Sequence, residues 1–158
     1  MGKKQTKVEA FLVESGVLAE GETFITAAKA MPLGGIMKHA KSSSFYMFGA
    51  VGAVAASVAE KRSPQPDEVE AKLKKGAYVA LTSTRLFLLS IGGMSSAPKE
   101  IALVIDRSAI VGVELGTTRV AMVKLPVLKL SLGPDDSIDF EFAKPDAKDA
   151  EDLYRSMQ

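Results

Sequence analysis

The stretch from Ser137 to Phe142 constrains this chain more than any other. Ile138, Phe140 and Phe142 alternate with Ser137, Asp139 and Glu141. An extended backbone therefore puts the apolar side chains on one face and the polar ones on the other, as in a half-buried strand. It is the last of about seven such segments. Glu22 to Met31 reads as the first strand. Tyr78 to Thr82 and Arg85 to Ile91 form a pair across Ser83-Thr84, and Gly92-Gly93 ends the second. Glu100 to Asp106 puts Ile101, Leu103 and Ile105 on one face. Ile110 to Leu115, Arg119 to Lys124 and Val127 to Leu132 follow, broken by Gly116-Thr117-Thr118 and by Pro126. Gly133-Pro134-Asp135-Asp136 turns the chain into the final strand. After Pro145 the period changes. Ala147, Ala150, Leu153, Tyr154 and Met157 recur at helical spacing, which predicts a closing helix over 146–157. A short helix is expected at Val8 to Ser15, closed by Gly16.

A chain of 158 residues, 47% hydrophobic and 25% charged, suits one domain with an appendage. The expected division is an N-terminal segment over 1–17 and one domain over 18–158, with an insertion at 33–76. The net charge of +1 argues against a nucleic-acid binder, which needs an excess of cations to displace phosphate counterions. Cysteine is absent, so neither a disulfide framework nor a thiolate metal site is available. Glu9 and Glu14 interrupt the apolar residues after Lys3, Lys4 and Lys7, so no secretory signal is expected. The expected location is cytoplasmic, or peripheral at the inner face of the membrane.

The insertion carries the irregular sequence. SPQPDE at 63–68 is a breaker cluster, and Asp67 to Lys75 reads as a short helix stopped by Gly76. Phe45 to Ala59 is apolar for 15 residues, short of the roughly 20 that span a bilayer, and eight of them are Gly, Ala or Ser. Lys38, His39 and Lys41 precede it, and Lys61 and Arg62 follow. Three readings compete: a buried or self-associating helix, a poorly ordered insertion, or a segment that dips into a membrane surface.

The order of elements, several short antiparallel strands and a closing amphipathic helix, resembles a pleckstrin-homology-like barrel. The run Tyr78 to Leu88, YVALTSTRLFL, is similar to the Ala-Leu-Thr-x-x-Arg-Leu hairpin of bacterial PH-like and GRAM-like domains. Ile105 to Leu115 is similar to the strand that follows it there, and Asp149 to Met157 to their closing helix. The resemblance covers roughly 18–32 and 77–158. It implies a mainly β fold, a seven-stranded antiparallel barrel or sandwich capped by a C-terminal helix, with a helical or disordered insertion after the first strand. It also implies that Arg85 holds the turn. On the residues alone, Thr82, Ser83 and Thr84 can bond turn backbone, and Arg85 can donate to carbonyls or stack on a ring.

Catalytic and metal-binding chemistry is thin. His39 is the one histidine, no zinc or calcium spacing is present, and Gly49-x-x-Gly52 lacks the rest of a phosphate loop. Asp135, Asp136 and Asp139 fit a turn and a solvated strand face better than a carboxylate pair. The expectation is a non-enzymatic binding module with no cofactor. Its first form is peripheral association with an anionic membrane through 38–62. Lys38, Lys41, Lys61 and Arg62 would meet headgroups, with Phe45, Tyr46 and Phe48 as an apolar wedge. Its second form is a protein-interaction or self-association module using 45–59; the resemblance also implies peptide binding along an exposed sheet edge or beside the C-terminal helix.

Overall fold

The computed structural model describes residues 2–31, 45–46, 73, 75–92, 96–120, 122–133 and 137–158. The expected helix over 67–75 and most of the 33–76 insertion lie outside these residues. Helix α1 spans Lys3–Glu14, and strand β1 spans Phe24–Ala30. A two-residue strand, β2, is Phe45–Tyr46. Strands β3 (Ala77–Thr82), β4 (Arg85–Gly92) and β5 (Ala97–Asp106) follow. Then come β6 (Gly112–Val120), β7 (Val123–Ser131), β8 (Ser137–Glu141) and helix α2 (Ala147–Ser156).

The strands form two antiparallel sheets. One has the order β1-β3-β4-β5-β2 and the other β6-β7-β8. An isolated bridge between Ala30 and Phe142 joins them at a corner. Phe45 and Tyr46 pair their backbone with Ile105 and Val104, so the start of the apolar run is extended there rather than helical. The rest of 45–59 lies outside the described residues.

Between the sheets sits the main core. Val79, Leu81, Leu86, Leu88, Leu103, Ile105, Leu128, Leu130, Ile138, Phe140 and Phe142 are all fully buried there. Leu153 and Ala150 of α2 close one end, with Tyr154 and Met157 packed half-buried beside them. The alternation of Ile138, Phe140 and Phe142 thus points inward as the sequence predicts. A second core lies on the outer face of the five-stranded sheet. Val8 and Leu12 of α1 cover Ala27, Tyr78, Ala80, Phe87, Leu89 and Val104, with Phe11 at the margin. That cover explains why β3 is buried at every position, which a one-sided sheet would not allow.

Three local expectations are corrected. The N-terminal helix starts at Lys3, five residues before Val8, because Lys-Lys-Gln-Thr-Lys contains no residue that breaks a helix. It ends as expected at Gly16, whose φ of 67° suits a residue without a Cβ. Gly116-Thr117-Thr118 is not a turn. It lies inside β6, which pairs with β7 without interruption from Gly112 and Ser131 to Val120 and Val123. Threonine's strand preference outweighs the single glycine. Pro126 is tolerated inside β7 because it faces Thr117 at a pair that exchanges no hydrogen bond. Its carbonyl points the other way, accepting from the Phe142 N–H at 3.0 Å. The third correction concerns Ile101. Leu88 faces Leu103 and Leu89 faces Ile101, so Ala102 bulges and Ile101 turns to the helix-covered face, away from Leu103 and Ile105.

Because Leu12 is fully buried against the sheet, Leu12→Ala is expected to cost about 2–5 kcal/mol in urea unfolding. A loss below about 1 kcal/mol would place α1 outside the cooperative unit.

Candidate functional site

The β3–β4 hairpin gathers the polar residues that the sequence singles out. Ser83-Thr84 forms its turn. The Thr82 hydroxyl oxygen accepts from the Arg85 N–H at 2.9 Å, closing the turn on itself. Across from it, the Ser83 N–H donates to the Thr23 carbonyl at 2.8 Å, and the Thr23 N–H to Ser83 Oγ at 3.1 Å. These bonds fasten the hairpin to the entry of β1.

The group they surround is Glu22, whose side chain is 1% exposed. It stands at the end of a turn in which Gly21 has φ 79° and the Glu22 N–H donates to the Ala19 carbonyl at 3.0 Å. Its Oε1 accepts from the Ala19 N–H at 2.8 Å and from Arg85 Nη2. Its Oε2 accepts from the Thr82 hydroxyl, from the Thr84 hydroxyl at 2.7 Å and from Arg85 Nε at 3.0 Å. Arg85 also donates to the Val17 carbonyl at 2.7 Å, and its guanidinium lies 4.8 Å from the centre of the Phe87 ring. Both expected uses of Arg85, carbonyl and ring, are present together. Burial pushes the Glu22 carboxyl upward, but Arg85, Thr82, the Ala19 N–H and Thr84 outweigh it and hold the pKa down to about 2. Five donors on one carboxylate leave it no free lone pair for a substrate proton, so this cluster is suited to holding segment 16–23 rather than to chemistry.

Two further polar ties were not legible in the sequence. Lys4 of α1 pairs with Asp146, and lies 3.8 Å from Asp149, at the start of α2. The Asp146 hydrogen bond raises the Lys4 pKa. Arg107, after β5, donates to the carbonyls of Thr82 at 3.4 Å and Ser156 at 3.2 Å, joining the hairpin to the end of α2. Glu22 and Arg85 are 63 positions apart and Lys4 and Asp146 are 142 apart, so no local spacing announces either pair.

The other sequence candidates are not gathered with this cluster. Lys38, Lys41, Phe48, Lys61, Arg62 and His39 lie outside the described residues, as do Asp135 and Asp136. Phe45 and Tyr46 are placed by backbone alone, on the edge of β5. Asp139 faces Lys129 across the β7–β8 ladder. Among the described residues no group of three or more His, Cys, Asp or Glu side chains could hold a metal ion. Among them, too, no helix is long and apolar enough to cross a membrane.

A strand edge among the described residues offers a surface for a ligand. β6 is the edge of its sheet among the described residues. Val120 and Val123 close the hairpin across two residues, so they exchange both hydrogen bonds, and alternation then assigns Gly112, Glu114, Gly116 and Thr118 to the β7 ladder. Val113, Leu115 and Thr117 direct their N–H and C=O groups away from it. Beside this edge a cavity of about 280 Å³ is lined by Arg107, Ile110, Val111, Val113 and Met157. That is below the roughly 300–1,000 Å³ of small-molecule sites, and suits one or two side chains better than a cofactor, with Arg107 and Gln158 making part of the lining polar.

A solved structure shares this architecture. It is the crystal structure of a pleckstrin homology domain from Shewanella amazonensis SB2B, 16% identical, with a TM-score of 0.50 over 96% of this chain and 92% of that one. At that identity the likeness concerns the fold. The likeness is to a pleckstrin homology domain and does not extend to the GRAM-like part of the resemblance. No family model matches the chain, and no curated protein does.

The Glu22 carboxyl has a folded pKa of about 2 against an unfolded value near 4.5. It therefore favours the folded state above pH 4.5, and that advantage is lost as pH falls through about 2. Denaturation midpoints from pH 6 to 2 should show Glu22→Gln less stable than the natural chain at pH 6 and nearly equal at pH 2. A constant difference would contradict the buried carboxylate. Arg85→Ala, which leaves that carboxylate unpaired, is expected to cost about 3–5 kcal/mol at pH 6 in the same assay.

Proposed function

We propose that this chain, which has a pleckstrin-homology-like fold, is a non-enzymatic binding module that takes an extended peptide on the β6 edge. The observation that carries the reading is the open edge itself. Val113, Leu115 and Thr117 offer backbone donors and acceptors in a row, with a cavity next to them that Arg107, Ile110, Met157 and Gln158 help to line. An extended peptide satisfies such a row through its main chain and gains specificity by placing alternate side chains in the adjacent cavity. Ile110, Val113 and Met157 would meet the apolar part of such a side chain, and Arg107 and Gln158 a polar end. The saturated Glu22 cluster supports a scaffold role for the conspicuous polar residues, which leaves recognition to this edge.

The rival reading is association with an anionic membrane, or self-association, through the insertion. It is supported by the sequence: Lys38, Lys41, Lys61 and Arg62 bracket an apolar run that begins with Phe45, Tyr46 and Phe48. Residues 38–62 are the contact in that case, and the β6 edge is uninvolved.

Peptides selected from a random library against the full chain distinguish the two. In amide-resolved NMR, the peptide reading expects bound peptide to shift and protect the N–H groups of Val113, Leu115 and Thr117. Gly112, Glu114 and Gly116, already bonded to β7, should change little. Changes confined to 38–62, or a selection that yields no binder, would overturn it.

A further inference from the structure

We propose that the extended peptide taken on the β6 edge, the reading on which this rests, carries a carboxylate side chain beside Arg119 and an apolar one beside Leu115. The edge is graded along its length. Val113 and Leu115 are half-buried against the main core, whereas Thr117 and Arg119 are exposed. Strand alternation puts these four side chains on one face of the sheet. The same alternation turns their backbone N–H and C=O groups away from β7, because the residues between them carry the bonds to it. A strand laid on the edge therefore sets one side chain directly beside each of the four, on their face.

The charges decide what one of those side chains must be. Arg119 and Lys124 are exposed and directly opposite each other in the ladder. Like charges so placed repel and weaken a strand pair. Among the described residues neither belongs to an ion pair. The other charge on β6 is already matched, since Glu114 faces Lys129, which faces Asp139 in turn. No acid lies between Glu114 and Asp135 in the sequence. A carboxylate on an added strand answers both cations, with Arg119 as its direct neighbour and Lys124 one strand further along the same row. A free anion would meet the cations but leave the unpaired backbone of Arg119 unused. Every ladder described is antiparallel, which is also the more stable arrangement per residue. The acid therefore comes first in the peptide, the apolar residue beside Leu115 follows, and the residue beside Val113 reaches the cavity.

A displayed library of short random peptides is selected against the full natural chain and against Arg119→Glu/Lys124→Glu. Both sites are exposed, the exchange keeps a like-charge pair, and an unchanged thermal midpoint confirms the fold. Amide shifts on β6 locate the binders. The natural chain is expected to select Asp or Glu at one position and an apolar residue four positions later. The variant is expected to select Lys or Arg in place of the acid. In one selected peptide, replacing the acid by its amide should weaken binding to the natural chain about 5-fold at low salt, and by less at high salt. Peptides that bind on β6 with no acid at that position, or the same residues selected by both forms, would overturn the proposal and leave the peptide reading standing. A library that yields no binder would overturn both.

Discussion

The buried carboxylate of Glu22 is the constraint on which the rest of this molecule turns. A charge removed from water must be answered by donors, and they come from two parts of the chain: Ala19 in the turn before it, and Thr82, Thr84 and Arg85 in the β3–β4 hairpin. The answer fixes three things at once. It closes the β3–β4 turn, it sets the entry of β1 beside that hairpin, and through Arg85 and the Val17 carbonyl it positions the connection that delivers α1 to the sheet. Pairs of this kind add specificity more dependably than stability, because desolvation offsets much of the attraction. Here the specificity is geometric: a hairpin that slipped by one residue would present a different side chain to the carboxylate.

Around that fixed point the fold is stitched from end to end. α1 covers a face of the five-stranded sheet that would otherwise expose Tyr78, Phe87 and Leu89. Lys4 ties the start of α1 to Asp146 at the start of α2, and Arg107 ties the hairpin to the end of α2. Lys4, Glu22, Arg85, Arg107 and Asp146 are thus consumed in holding elements together. Among the described residues, the surface that offers unpaired backbone is the β6 edge, with the cavity beside it.

How much of this was legible follows from the range of each interaction. Ile138, Phe140 and Phe142 could be assigned inward because alternation is a property of adjacent residues, and a single buried face enforces it. The closing helix was legible for the same reason, with period 3.6 in place of 2. Ile101 was not, since a bulge at Ala102 resets the alternation and only the partner strand determines where a bulge falls. Gly116 and Pro126 suggested breaks because their effect depends on which hydrogen bonds the ladder needs at that register. Arg85 could be recognised as a turn residue, but its partner Glu22 could not. A lone acid ahead of an alanine-rich strand gives no sign of where it will be buried. The candidate surface was the least legible part, because a sheet edge is defined by which strand is missing.

That edge is therefore the place to test the central claim most directly. Native-state amide hydrogen exchange on the full chain, without ligand, reads each β6 residue separately. An open edge predicts a two-residue alternation, with fast exchange at Val113, Leu115 and Thr117 and slow exchange at Glu114, Gly116 and Thr118. Uniform protection along β6 would mean that this edge is covered within the chain itself, and would contradict the proposal that it takes a ligand.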